Sequence, residues 1–217
     1  MSVSTENFIK LVYKQSQLPD ADTKPGTIAG LLSITNAAAT DMARKLASKK
    51  LINYTKYKQL SLTPKGKQLA LNILRKHRLW ETFLHKSLHL SLHEIHREAE
   101  MLEHQTSDFL ADKIEDYLGN PMSDPHGDPI PDNKGKVAND TSLILLSEAP
   151  EGHEYKISRV FSSEESFLEF CEANYLIVGT TIKIEKQLDK NNMTEIQIGN
   201  SKILLNREFT DKIYLKN

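Results

Sequence analysis

Hydrophobic positions in the first 62 residues follow a helix, helix, helix, hairpin order. From Ser4 to about Gln17, Phe8, Leu11 and Val12 recur with polar residues between them, the spacing of an amphipathic helix with Ser4 as its N-cap. After Pro25-Gly26, Thr27 is placed to cap a short helix IAGLLS, and a turn near Ile34 to Asn36 leads into a second, AAATDMARKLASKK. Short helix, tight turn and second helix make helix-turn-helix spacing. Leu51-Ile52 and the alternating run Gln59 to Thr63 predict a small β-hairpin, so the unit reads as a winged helix-turn-helix.

The pattern then lengthens. Thr63-Pro64 starts a helix, with Thr63 as N-cap and Pro64 in the first helical position, and no breaker follows until about Leu88. Leu79, Trp80, Phe83, Leu84 and Leu88 spread round more than one side of it, so it needs partners. Helices from about Leu92 to Thr106 and Ser107 to Leu118 supply some of that cover, and a second subunit supplies the rest. Gly119 to Gly135 is rich in proline and glycine and reads as an ordered turn or linker, with His126 as a loop histidine first and a metal ligand only as the lesser alternative. Beyond it, Ser142 to Leu146, Tyr155 to Phe161, Thr181 to Lys186, Thr194 to Ile198 and Ser201 to Leu205 read as short strands, Glu164 to Ala173 as a brief helix, and Gly199-Asn200 as a hairpin turn. The predicted architecture is mostly α with a small β domain: a winged helix over residues 1–74, a helical region with its linker over 75–140, and a small β-barrel over 141–217.

Composition adds limits. The formal net charge is -1, yet residues 1–78 hold 14 Lys and Arg against 4 Asp and Glu, leaving the excess acid in the remainder. A basic first half points to a polyanion and an acidic second half to cations. The single cysteine, Cys171, excludes an internal disulfide and thiolate clusters, so any metal takes nitrogen and oxygen ligands. No apolar run approaches the length of a membrane span and the N-terminus lacks a signal-peptide pattern, so a cytoplasmic protein with no membrane partner is expected.

The recognition helix offers Thr35, Asn36, Ala37 and Thr40 near its start for base-edge and phosphate contacts, with Ala38 and Ala39 allowing close approach. Arg44, Lys45 and Lys49 follow, and Lys56 and Lys58 on the wing would reach flanking phosphates. The second chemical feature is the stretch from His77 to His104, which contains six of the eight histidines, together with Glu81, Glu100 and Glu103. Residues four apart share a helix face, so His77 and Glu81 point one way, and His96, Glu100 and His104 another, with Glu103 beside them. His85, His89 and His93 have no carboxylate in matching register and read as bystanders. Nothing resembles HExxH or a nucleophile motif, which argues against a metallohydrolase. A winged-helix regulator of a small organic effector is the alternative, with no small organic substrate in the main reading.

These residues carry a resemblance. Arg75-Lys76-His77-Arg78-Leu79 with Glu81, His96-Arg97-Glu98-Ala99-Glu100 with Glu103-His104, and the run Pro125 to Pro131 are similar to motifs of the diphtheria toxin repressor family of metal-dependent transcriptional regulators. The resemblance covers essentially the full chain and implies a winged helix, a helical dimerisation domain and an SH3-like domain. It implies a homodimer that represses from a palindromic double-stranded operator when loaded with Mn2+ or Fe2+, two sites per subunit. Zn2+, Co2+ or Ni2+ would bind in vitro, since affinity rises along the divalent series. One implied site is His77, Glu81 and His96, completed by Glu164 of the SH3-like domain, with Phe167 where a second polar ligand is expected. The other is Glu100, Glu103, His104 and Asn7, with Glu6 as a substitute for Asn7. Lys10 stands where manganese-type members can have an acidic ligand, which argues against their paired ions.

Overall fold

The computed structural model describes residues 1–18, 20–138, 142–162, 164–188 and 192–217. The expected end of the helical region at residue 140 lies outside them. Helix α1 runs Val3–Ser16, one residue ahead of the expected start, with Ser2 at the N-cap and Phe8, Ile9 and Val12 buried. Helix α2 is Pro25–Leu31 and α3 Asn36–Ser48, the latter capped by the Thr35 hydroxyl, which accepts the Ala38 N–H at 3.2 Å. Thr27 caps nothing: its hydroxyl donates to Asp22 at 2.6 Å and ties the loop before α2. Strands β1 (Ile52–Asn53) and β2 (Ser61–Leu62) form the wing, in antiparallel register.

Helix α4, Pro64–Leu88, begins as predicted, with the Thr63 hydroxyl accepting the Gly66 N–H at 3.1 Å. Gly66 is required there, because a Cβ would lie 1.9 Å from the Leu51 carbonyl oxygen. Helix α5 is shorter than expected, Leu92–Leu102, and Glu103–Gln105 continue as a 3-10 turn. It opens with a capping box, Ser91 and Glu94 exchanging hydrogen bonds. Helix α6 is Asp108–Tyr117. Buried Arg75 of α4 pairs with Asp112 at 2.7 Å and with Glu115, fastening α6 to α4.

The C-terminal part is one antiparallel sheet of six strands, in the order β3-β8-β4-β5-β6-β7. These are β3 Ile144–Leu145, β4 Glu154–Val160, β5 Thr181–Leu188, β6 Met193–Ile198, β7 Ser201–Asn206 and β8 Ile213–Lys216. Strand β8 was not expected, nor was the one-turn helix α8, Arg207–Thr210; helix α7, Glu165–Ala173, was. Register shifts in β4 and β5 interrupt the sheet pairing. Leu84, Leu92 and Ile95 share one core with Ile157, Leu168 and Ile196, so α4 and α5 are packed into the sheet.

Candidate metal centre

Two polar clusters lie on either side of His77. In the first, His77 and Glu81 sit one turn apart on α4 and His96 comes from α5. His77 Nε2 lies 3.0 Å from Glu81 Oε1 and 3.2 Å from His96 Nδ1, and His96 Nδ1 is 3.1 Å from the same Glu81 oxygen. Ligand atoms of the three residues fall within 4.8 Å of one another. Burial opposes ionisation of Glu81, yet the His77 imidazole beside it holds its carboxyl well below the usual range. Burial likewise opposes charge on His77, but Glu81 and Glu103 outweigh it and push the imidazole up to about 9.

His126, read as a loop histidine ahead of a ligand, lies beside this cluster. It is 6% exposed, with Nε2 3.7 Å from Glu81 Oε1. Its loop is folded rather than slack. The Asp124 carboxylate accepts the N–H groups of His126 and Asp128, both at 2.9 Å, and the His126 carbonyl accepts Val160 N–H from β4 at 2.8 Å. Gly127 has φ +84, and a Cβ there would meet the Ser158 carbonyl oxygen at 2.0 Å, so only glycine lets the loop close on β4. Arg78 of α4 reaches the Pro129 carbonyl at 2.6 Å and Asp128 at 3.1 Å, fixing the loop from the other side. The Pro-His-Gly-Asp-Pro string was a legible signal of an ordered turn, and the turn brings its histidine beside Glu81.

Glu164 lines the same cavity as His77, Glu81, His96 and His126. Its carboxylate is bound to Lys212 Nζ at 3.0 Å, which lowers its pKa, and accepts the Ser166 hydroxyl at 3.2 Å. Phe167 is a core residue, stacked edge-on against Phe209. Two imidazoles and a carboxylate therefore converge on one point, with the His126 imidazole beside Glu81, a nitrogen and oxygen donor set suited to Mn2+, Fe2+ or Zn2+.

The second cluster contains its own cation. Lys10 Nζ of α1 lies 2.7 and 2.8 Å from the two Glu100 oxygens and 2.6 Å from Glu103 Oε1. Glu103 Oε2 takes His77 Nδ1 at 2.6 Å, so one carboxylate joins the two clusters. His104 Nδ1 is 2.6 Å from Glu6 Oε2, and its Nε2 is 3.2 Å from Glu103 Oε1. Asn7 Oδ1 and His104 Nε2 are buried with no hydrogen-bond partner. Of the remaining histidines, His85 Nδ1 contacts the Leu90 carbonyl at 2.9 Å and His89 is the left-handed C-cap of α4. His93 stands 3.9 Å from the exposed Glu165.

On the winged helix, Asn36, Thr40, Arg44 and Lys56 line one groove between α2, α3 and the wing. Thr35, Ala37, Lys45, Lys49 and Lys58 are exposed outside that groove. Ala38 is exposed, but Ala39 is fully buried in the winged-helix core, so it packs the domain and reaches no partner.

Comparison with known proteins places this geometry. Residues 63–132 match the iron dependent repressor, metal binding and dimerisation domain, and residues 144–217 match the FeoA domain. The chain is similar to the HTH-type transcriptional regulator MntR of Geobacillus kaustophilus, 32% identical over 104 residues, covering 48% of this chain and 72% of the relative. Among solved structures it is similar to a manganese-dependent transcriptional repressor in complex with manganese, at 25% identity and TM-score 0.89, covering 98% of this chain and 99% of the other. ScaR with bound Cd2+ is 31% identical with TM-score 0.82, again covering 98% and 99%. A winged helix joined to a metal-binding helical domain and a FeoA-type SH3-like domain defines the class, metal-responsive regulators of transcription. The chain belongs to the diphtheria toxin repressor family.

Proposed function

We propose that this protein is a dimeric transcriptional repressor of metal-ion homeostasis that binds a palindromic operator when it holds Mn2+ or Fe2+. The observation that carries this reading is the convergence of buried His77 and Glu81 with half-buried His96, and the approach of His126 Nε2 to 3.7 Å from Glu81, at the junction of α4, α5 and the loop on β4. Those four side chains would hold the ion, which supplies positive charge and coordination bonds among three segments. The chain's own residues do the rest. His77 also contacts Glu103, and Glu103 contacts Lys10 of α1, so the site and the first helix of the winged domain share one hydrogen-bonded path.

A second subunit suits the apolar surface left on the helical region. Met101 is 59% exposed, Phe109 72%, Tyr117 69% and Met122 72%. A two-fold partner seated on the helical region would cover such side chains. A two-fold dimer would set two copies of α3 about one DNA turn, roughly 34 Å, apart. Lys45, Lys49, Lys56 and Lys58 would neutralise phosphates and make affinity fall steeply with salt.

Fluorescence anisotropy with an operator fragment tests the reading. Binding should be at least about ten-fold tighter in Mn2+ than in chelator, within the usual range of allosteric coupling. Equal affinity in both conditions would sink it. A regulator answering a small organic effector is not favoured, since a structure this chain resembles over 98% of its length is a manganese-dependent transcriptional repressor.

A further inference from the structure

We propose that Lys10 is a tethered cation that takes the place of a divalent ion between Glu100 and Glu103, so that each chain holds one ion tightly, on the Glu81 side of His77. The inference rests on the metal-dependent reading and concerns which of its two expected sites a metal fills.

Three carboxylate oxygens, two from Glu100 and one from Glu103, surround Lys10 Nζ at 2.6 to 2.8 Å. An ammonium has three N–H donors, and three oxygens stand ready for them. Lys10 is 5% exposed and Glu103 2%, while the Glu100 side chain is half-buried, so the ammonium and its Glu103 partner lie below the surface and Glu100 closes over them. Lysine is almost never buried unless paired, and removing its partners, or it from them, leaves an uncompensated charge. Glu103 is fully engaged, one oxygen on Lys10 and the other on His77. Glu100 and Glu103, the carboxylates expected of this site beside the substitute Glu6, are therefore already paired from within the chain, and Glu6 is held by His104.

What remains for a metal is weak. Asn7 Oδ1 and His104 Nε2 are buried and lack hydrogen-bond partners, so they are free to ligate, but both are neutral. The nearest anionic atom to His104 Nε2 is Glu103 Oε1 at 3.2 Å, the same oxygen that Lys10 holds. A hard divalent cation prefers charged oxygen ligands and would have to displace the ammonium to gain them. The displaced lysine would then sit unpaired on α1, a helix anchored by Phe8, Ile9 and Val12. The first cluster has no such occupant: no lysine or arginine contacts Glu81 among the described residues.

The test counts ions. Full-length protein stripped with chelator is dialysed against low-micromolar Mn2+ and its metal measured by elemental analysis. Wild type should hold one ion per chain, Glu81→Gln none, and Lys10→Glu two. Lys10→Met, which removes the charge at nearly constant length, should also gain the second ion, at least ten-fold tighter than any second ion in wild type. Thermal unfolding gives an independent readout. Both Lys10 variants should melt below wild type in chelator and recover when Mn2+ is added, because the ion replaces the ammonium. Two equally tight ions in wild type would overturn the proposal. So would unchanged stoichiometry in both variants, or destabilisation that Mn2+ does not relieve, which would make Lys10 a structural ion pair alone. No tight ion in wild type at all would overturn the proposed function, and this inference with it; one tight ion in wild type with no gain in the variants overturns this inference and leaves the function standing.

Discussion

The two sides of His77 use nearly the same side chains to opposite ends. On one side, a single carboxylate faces imidazoles, and among the described residues no lysine or arginine contacts it. On the other, two carboxylates close on a lysine brought from α1. The difference teaches that ligand identity alone does not define a metal site. What matters is whether the negative charge is already balanced by something that cannot leave.

Substitutions separate the two sides. The largest effect is expected from Glu103→Ala, which strips a buried partner from both His77 and Lys10 and should cost about 3–5 kcal/mol in urea unfolding of the metal-free protein. A loss well under 1 kcal/mol would mean the lysine cluster does not hold α1 in place. His126→Ala comes next. It should weaken Mn2+ binding about 100-fold by calorimetry, at the upper end of what supporting partners cost, while leaving chelator-state stability close to that of wild type. Unchanged affinity would return His126 to the role of a loop residue. Arg78→Met loosens the His126 loop from α4 without touching a ligand, so about a ten-fold loss is expected. Glu164→Ala should change Mn2+ affinity by less than about three-fold, since an exposed ion pair with Lys212 contributes little. A loss of ten-fold or more would bring Glu164 into the first cluster and make the two sides less alike than they look.

Local signals were legible in the sequence. Thr63-Pro64 and an unbroken run fixed α4 to the residue, because capping and propensity act within a few positions. The recognition helix and its wing were placed to within about two residues. His77 and Glu81 could be paired from their spacing alone, being i and i+4. What was not legible depended on distant chain. Lys10 and Glu100 are 90 positions apart, and no periodicity reports their meeting. His126 lay hidden in a segment whose prolines and glycines read as a linker, when Asp124, Gly127 and Arg78 fold it into a pinned turn. The expected role of Glu164 depended on which partner its side chain meets, and Lys212, 48 positions on, is that partner. Ala39 faced the wrong way for the role given it, since a run of alanines carries no marker of which one the core takes.

Helix α4 begins against the wing and ends in the core of the C-terminal sheet, unbroken over 25 residues. At the rise of an α-helix that is about 37 Å of stiff rod. Such a rod is a lever arm. A tilt of about 5° at the end nearest the sheet swings the wing by about 3 Å, more than half the rise of one helical turn. The cluster at His77 and Glu81 sits near the middle of this arm, so a change too small to notice among the ligands is enlarged before it reaches the groove of an operator.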